Sequence, residues 1–153
     1  MNASRRSLLI AAVVACAAAG PTMAADPGSG RAFADPGLTW NACPDFLPEG
    51  CGIAILGGDP AGDDADVFFR VPGGSILPLH WHSSAERMVL VGGRLRVAYE
   101  GQAPMLLVPG QYARGAARAP PSAVCESAEP CVLFIAFDGP LDAHAGPAPA
   151  DGN

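Results

Sequence analysis

Two histidines one residue apart, with a carboxylate four residues after the second, are the residues in this 153-residue chain best suited to chemistry. His80 and His82 lie in the stretch GSILPLHWHSSAERMVLVGG, residues 74–93. On a β-strand alternate side chains share a face, so both imidazoles point the same way. Glu86 joins them only if the chain bends. A straight strand would carry it about 13 Å beyond His82, whereas ligands of one ion each lie about 2–2.2 Å from it. Ser83, Ser84 and Ala85 are small enough for a turn or bulge that brings the carboxylate back. Two neutral nitrogens and one oxygen then suit a divalent transition metal: Fe, Mn, Ni, Cu or Zn. A His-x-His pair taken alone fits an ordinary surface strand equally well. Pro78, the bracketing glycines and the spacing of Glu86 favour the metal site.

The elements that must position these residues read as strands. From Gly52 onward, short apolar segments at residues 53–56, 67–71, 88–91, 95–99, 105–108 and 132–137 are separated by Gly and Pro. Arg94-Leu95-Arg96-Val97 alternates polar and apolar, as a half-buried strand does. Gly92-Gly93, between two such runs, predicts a hairpin turn. No stretch keeps a helical period over three turns, and 16 prolines with 19 glycines would break one. Many short strands with Gly/Pro turns predict an all-β sandwich or barrel, the jelly roll included.

Residues 1–24 predict a secretory signal. Arg5-Arg6 form the positive end, Leu8 to Ala19 an apolar run, and Thr22-Met23-Ala24 a small-residue cleavage site. The run is too short to span a membrane, which takes about 20 residues, so no transmembrane segment is expected. Ser4-Arg5-Arg6-Ser7-Leu8-Leu9 is also similar to a twin-arginine signal. Val13-Val14-Ala15-Cys16 offers an alternative, a lipoprotein anchored through Cys16. Export to a bacterial periplasm is the expectation either way. Removing the leader takes two of the nine arginines and no acid, which leaves seven arginines against fifteen acids, a net charge of −8, with no lysine anywhere. That balance excludes nucleic acid as a partner, since phosphate binding needs a basic patch. Residues 25–39 read as a flexible lead-in and 145–153 as a disordered tail.

Four cysteines remain after the leader, and in an oxidising compartment an even count predicts disulfides. Three pairings are open. Cys43–Cys51 with Cys125–Cys131 is preferred because each pair encloses a short, acidic, Pro-containing loop. A zinc site of all four is the competing reading, with spacings wider than the usual zinc knuckle.

Gly74, His80, His82, Glu86 and Gly93 fit without a gap the first motif of the cupins: G, five residues, H, one, H, three or four, E, six, G. The chain also resembles a group of small single-domain cupins in Trp40, Leu47-Pro48-Glu49-Gly50, Gly57-Gly58-Asp59-Pro60, Phe69-Arg70, Pro78-Leu79-His80-Trp81-His82, Pro109-Gly110-Gln111-Tyr112 and Gly139-Pro140. The resemblance covers roughly residues 40–144 and implies a single cupin-type jelly-roll β-barrel, with a homodimer as a further expectation. It also implies a fourth ligand, a second-motif histidine, which aligns here at Pro121. Proline cannot ligate a metal, so the set is reduced to His80, His82 and Glu86 and the ion is held more weakly. His144 and, if not in a disulfide, Cys125 are candidate substitutes. Arg70 and Arg87 are candidate anchors for an anionic substrate, with Arg87 expected to face solvent. Tyr112 is expected to pack in the barrel, and Trp81 to lie opposite the histidines.

Three functions remain open from sequence. The first is an exported cupin that binds a divalent metal or small-molecule ligand at His80, His82 and Glu86 without assured turnover, favoured by the absent fourth ligand. The second is a metal-dependent enzyme of the oxygenase or isomerase kind, with no catalytic residue assigned beyond the metal ligands. The third is a metal-free structural or interaction barrel.

Overall fold

Short segments whose apolar residues alternate or run together pair into three antiparallel sheets in a computed structural model of the chain. It describes residues 28–148, so the expected leader, Cys16 and the last five residues lie outside the described residues. The strands are β1 (Asn41–Ala42), β2 (Gly52–Gly57), β3 (Asp66–Val71), β4 (Ile76–Leu77), β5 (His80–Trp81), β6 (Glu86–Gly92), β7 (Leu95–Tyr99), β8 (Met105–Leu107), β9 (Tyr112–Gly115), β10 (Pro121–Cys125), β11 (Cys131–Phe137) and β12 (His144–Ala145). Six form one sheet in the order β1-β2-β3-β11-β6-β9, and four a second in the order β4-β10-β7-β8. The pair β12-β5 makes the third. Among the described residues there is no α-helix, and none long and apolar enough to cross a membrane.

Period-two alternation decides what enters the core. Leu133, Ile135 and Phe137 of β11 are buried, as are Met88 and Leu90 of β6 and Leu95, Val97 and Tyr99 of β7. They form one cluster between the two larger sheets. Ala54, Phe68 and Val132 point the other way and make a smaller cluster with Leu38, Trp40 and Phe134. Leu38 belongs to the expected lead-in, so part of that segment packs on the sheet.

Gly92-Gly93 does not make a hairpin. β6 pairs with β11 and β9, whereas β7 pairs with β10 and β8, so the turn carries the chain from one sheet to the other. Gly93 has φ 81°, and a Cβ there would stand 2.8 Å from the Cys131 Cα, so only glycine fits the crossing. β10 also lacks a strand signature, since it starts at a proline. It is tolerated there because the missing N–H falls at the strand's first residue.

Cys43 pairs with Cys51 and Cys125 with Cys131, each at a Cα–Cα distance of 5.7 Å, within the range the bond requires. This is the local pairing, and it removes both the zinc reading and Cys125 as a metal ligand. Closing loops this short restricts the unfolded chain by about 2–3 kcal/mol each. Replacing Cys43 and Cys51 together by serine is therefore expected to lower the free energy of urea unfolding by about that amount. An unchanged midpoint would show that this bond does not stabilise the fold.

Candidate metal and ligand site

β5 delivers His80 and Trp81 to opposite faces. The chain then leaves the strand at His82, bends at Ser83–Ser84 and re-enters a strand at Glu86. The bend brings the carboxylate back to the side of the histidines. His80, His82 and Glu86 all line one cavity of about 230 Å³, whose other walls are mostly aliphatic and aromatic. The rings of His80 and His82 lie 5.1 Å apart, and His82 Nε2 is 3.8 Å from Glu86 Oε2. Two ligands at the usual bond length on a tetrahedral ion stand about 3.4 Å apart. Among the described residues, no group of three His, Cys, Asp or Glu side chains is placed so that it could hold a metal ion. The three side chains therefore share a cavity without being gathered at ligating separations.

The imidazoles are nonetheless oriented. His80 Nδ1 lies 2.8 Å from the Pro78 carbonyl oxygen, and His82 Nδ1 is hydrogen-bonded to the Asp142 carbonyl. A neutral ring that donates from Nδ1 keeps its lone pair on Nε2, the atom left for a metal. Burial lowers both pKa values, which favours that neutral form. Glu86, 5% exposed, is moved the opposite way: burial raises its pKa to about 7, against a smaller pull from His80.

Three further residues shape this end of the cavity and carried no motif. Tyr99 ends β7 facing inward, 7% exposed, and its hydroxyl is the only buried side-chain polar atom without a hydrogen-bond partner among the described residues. Burial, with the nearby Glu86 charge, raises its pKa and keeps it a phenol. Gly115 lies opposite Glu86 on β9, and a Cβ there would come within 2.8 Å of both Glu86 Oε1 and the Tyr99 hydroxyl. Asp142 contributes its carbonyl to His82 and its carboxylate to the Ser83 N–H, at 2.8 Å. The alternation Leu95, Val97, Tyr99 is the signal that could have placed Tyr99 inside.

The remaining candidates lie elsewhere. His144 pairs with Trp81 across β12–β5, stacks on its indole at 4.2 Å and meets Asp142 Oδ2 at 3.2 Å. That is the face opposite His80, so His144 does not substitute for a missing ligand. Arg70 stacks on Trp40 at 4.0 Å, and Arg87 pairs with Asp138 at 2.8 Å. Neither lines the cavity. Tyr112 is 58% exposed rather than packed in the barrel.

No protein-family model matches the chain, and no curated protein matches it. Solved structures do. DMSP lyase DddQ from Ruegeria pomeroyi superposes with a TM-score of 0.60 at 18% identity, over 74% of this chain and 64% of that one. An RmlC-like cupin from Shewanella frigidimarina gives 0.57 at 18% identity, over 74% and 92%. The fold is that of the cupins. KdgF from Halomonas sp. gives 0.54 at 20% identity, over 65% and 87%. The chain spans less than two thirds of the length of the DMSP lyase. Within this cupin barrel Pro121, at the position where the second-motif histidine aligns, lines the same cavity and faces Tyr99 across β7–β10.

The raised Glu86 pKa has a stability consequence with a definite sign. Between about pH 4.5, the ordinary value, and about pH 7, the folded metal-free protein holds a proton on Glu86 that the unfolded chain has released. Stability from this group therefore falls as pH rises through that window and stays low above it. The histidines act oppositely, since their lowered values make stability rise with pH towards 6.5. Glu86→Gln isolates the carboxyl. Relative to the parent, and in chelator, the variant should gain stability from pH 4.5 to pH 8, by at most about 3 kcal/mol. A difference that does not change with pH would refute the buried, proton-holding carboxyl.

Proposed function

We propose that this chain is an exported cupin that binds a divalent transition metal through His80, His82 and Glu86 and a small molecule in the cavity beside it. The observation that carries the reading is the pairing of both Nδ1 atoms with backbone carbonyls, which leaves two Nε2 lone pairs beside a buried carboxyl. The donor set, two imidazoles and one carboxylate, suits Zn, Fe, Mn, Ni or Cu. Once bound, the ion supplies Lewis acidity and open positions for a ligand. The protein's own part is to orient the rings from the Pro78 and Asp142 carbonyls and to surround the site with apolar walls. Two cystines fit an oxidising compartment, which agrees with export.

Turnover is the second reading, and Tyr99 favours it. An unpartnered phenol beside Glu86 is a proton donor that a purely structural barrel does not need. Enzymes occur on this fold, as the DMSP lyase and an oxalate decarboxylase from Lactobacillus farciminis illustrate.

Metal uptake tests the first reading. The chelator-treated protein should take up about one equivalent of zinc, measured by elemental mass spectrometry after dialysis. His82→Ala should lose most of that metal, whereas His144→Ala, on the outer face, should keep it. Equal metal content in His82→Ala and the parent would overturn the assignment.

A further inference from the structure

The cavity's chemistry beyond its histidines and carboxyl selects a kind of ligand. At about 230 Å³ it is smaller than the ~300–1,000 Å³ of pockets that take drug-sized molecules. Its wall is mostly apolar and includes Val67, Leu77, Val97, Leu133, Ile135 and Phe137, all buried. Among the described residues no arginine lines it, and the chain has no lysine. Arg70, Arg87, Arg94 and Arg96 are engaged on the outer surface with Trp40, Asp138 and Glu126. An anionic ligand would give up its hydration here with no protein cation to meet it. A cationic one is served little better. The Asp142 carboxylate is occupied by Ser83 and His144, and Glu86 already faces His82.

Tyr99 supplies the remaining polar group. The residue lines the cavity, and its hydroxyl is buried beside it with no partner among the described residues. The residue across from it, Pro121, has neither a side-chain donor nor an acceptor. Buried hydroxyls are ordinarily hydrogen-bonded, so one left unpaired beside a cavity points to what enters it.

We infer that the cavity takes a compact, neutral, chiefly apolar molecule bearing one oxygen acceptor, to which Tyr99 donates its hydroxyl hydrogen. The inference rests on the reading of this cavity as a ligand site. The apolar body lies against the aliphatic wall, and the oxygen sits at the end that holds Glu86 and Tyr99.

Four probes of similar size separate the possibilities: cyclohexanone, methylcyclohexane, cyclohexanecarboxylate and cyclohexylammonium. Each is titrated by NMR into the full mature protein, once treated with chelator and once loaded with zinc. Cyclohexanone should bind the chelator-treated protein more tightly than either charged probe. Tyr99→Phe should weaken cyclohexanone by about threefold to tenfold and leave methylcyclohexane unchanged, with a melting temperature equal to or above the parent's. A merely structural Tyr99 would instead lower the melting temperature and weaken all four probes alike. Tighter binding of the carboxylate or ammonium probe to the chelator-treated protein would overturn the inference. So would cyclohexanone bound equally well by Tyr99→Phe, or not bound at all. Zinc uptake is read separately. Zinc bound without ketone overturns the ligand class alone, and ketone bound without zinc overturns the metal assignment alone.

Discussion

Burying Glu86 is the constraint on which the rest of this structure depends. A carboxyl group 5% exposed among leucine, isoleucine and phenylalanine loses its water, and its pKa rises accordingly. The barrel accommodates it by placing the other polar groups at the same end: two neutral imidazoles and a phenol. Gly115 makes the arrangement fit, because any side chain at that point would displace Glu86 and Tyr99 together. A polar end is thus confined to one part of an otherwise apolar interior, where each group can be answered by a neighbour, a metal or a ligand.

The imidazoles are held from outside the cavity. Asp142, whose carbonyl orients His82, lies in the segment after β11, and that segment runs back along the bend. Ser84 Oγ donates to the Pro140 carbonyl, the Asp138 N–H to the Ala85 carbonyl, and the Gly146 N–H to the Leu79 carbonyl. On the outer face His144 and the Arg118 guanidinium both lie against Trp81. The Arg118 N–H reaches the His82 carbonyl at 2.9 Å, with Arg118 held at a left-handed φ of 61°. A non-glycine residue there costs roughly 1–2 kcal/mol, which these contacts offset. Trp81 and His144 consequently act on the site without touching it: they pin the segment that pins His82.

How much of this was legible in the sequence follows the range of the interactions. Local rules worked. The alternation of His80 and Trp81, the bend at Ser83–Ser84 and the two short cystine loops depend on residues within a few positions of one another. Features set by distant pairing were hidden. Gly92-Gly93 looks like a hairpin, and whether its flanking strands pair depends on β11 and β10, some 30 residues on. β10 carries no β-branched run, and its pairing with β4 and β7 makes it a strand. The Asp142 contribution was invisible in principle, because a backbone carbonyl has no residue signature and acts here across 60 positions. Tyr112 went the other way: it lies in a recognisable motif but faces solvent at 58% exposure.

Pro121 ties the site's two unusual features together. The cupin resemblance aligns a histidine with it, and a histidine there would present a ring nitrogen to the cavity opposite Tyr99. Proline offers no such atom, so one substitution both removes a ligand from the proposed ion and leaves the phenol without a neighbour on that side. An ion held by His80, His82 and Glu86 alone would keep more open positions, and the wall next to it is more apolar with proline at 121. Both changes shift recognition from the protein's charges to the ligand's shape and its single polar atom. They also limit the acid–base chemistry available. With a metal bound, Glu86 would no longer be a free base, and with both Nδ1 atoms committed to carbonyls the imidazoles would have no proton to exchange. Among the described residues Tyr99 is then the unpaired donor beside the cavity, placed to hold a ligand's oxygen.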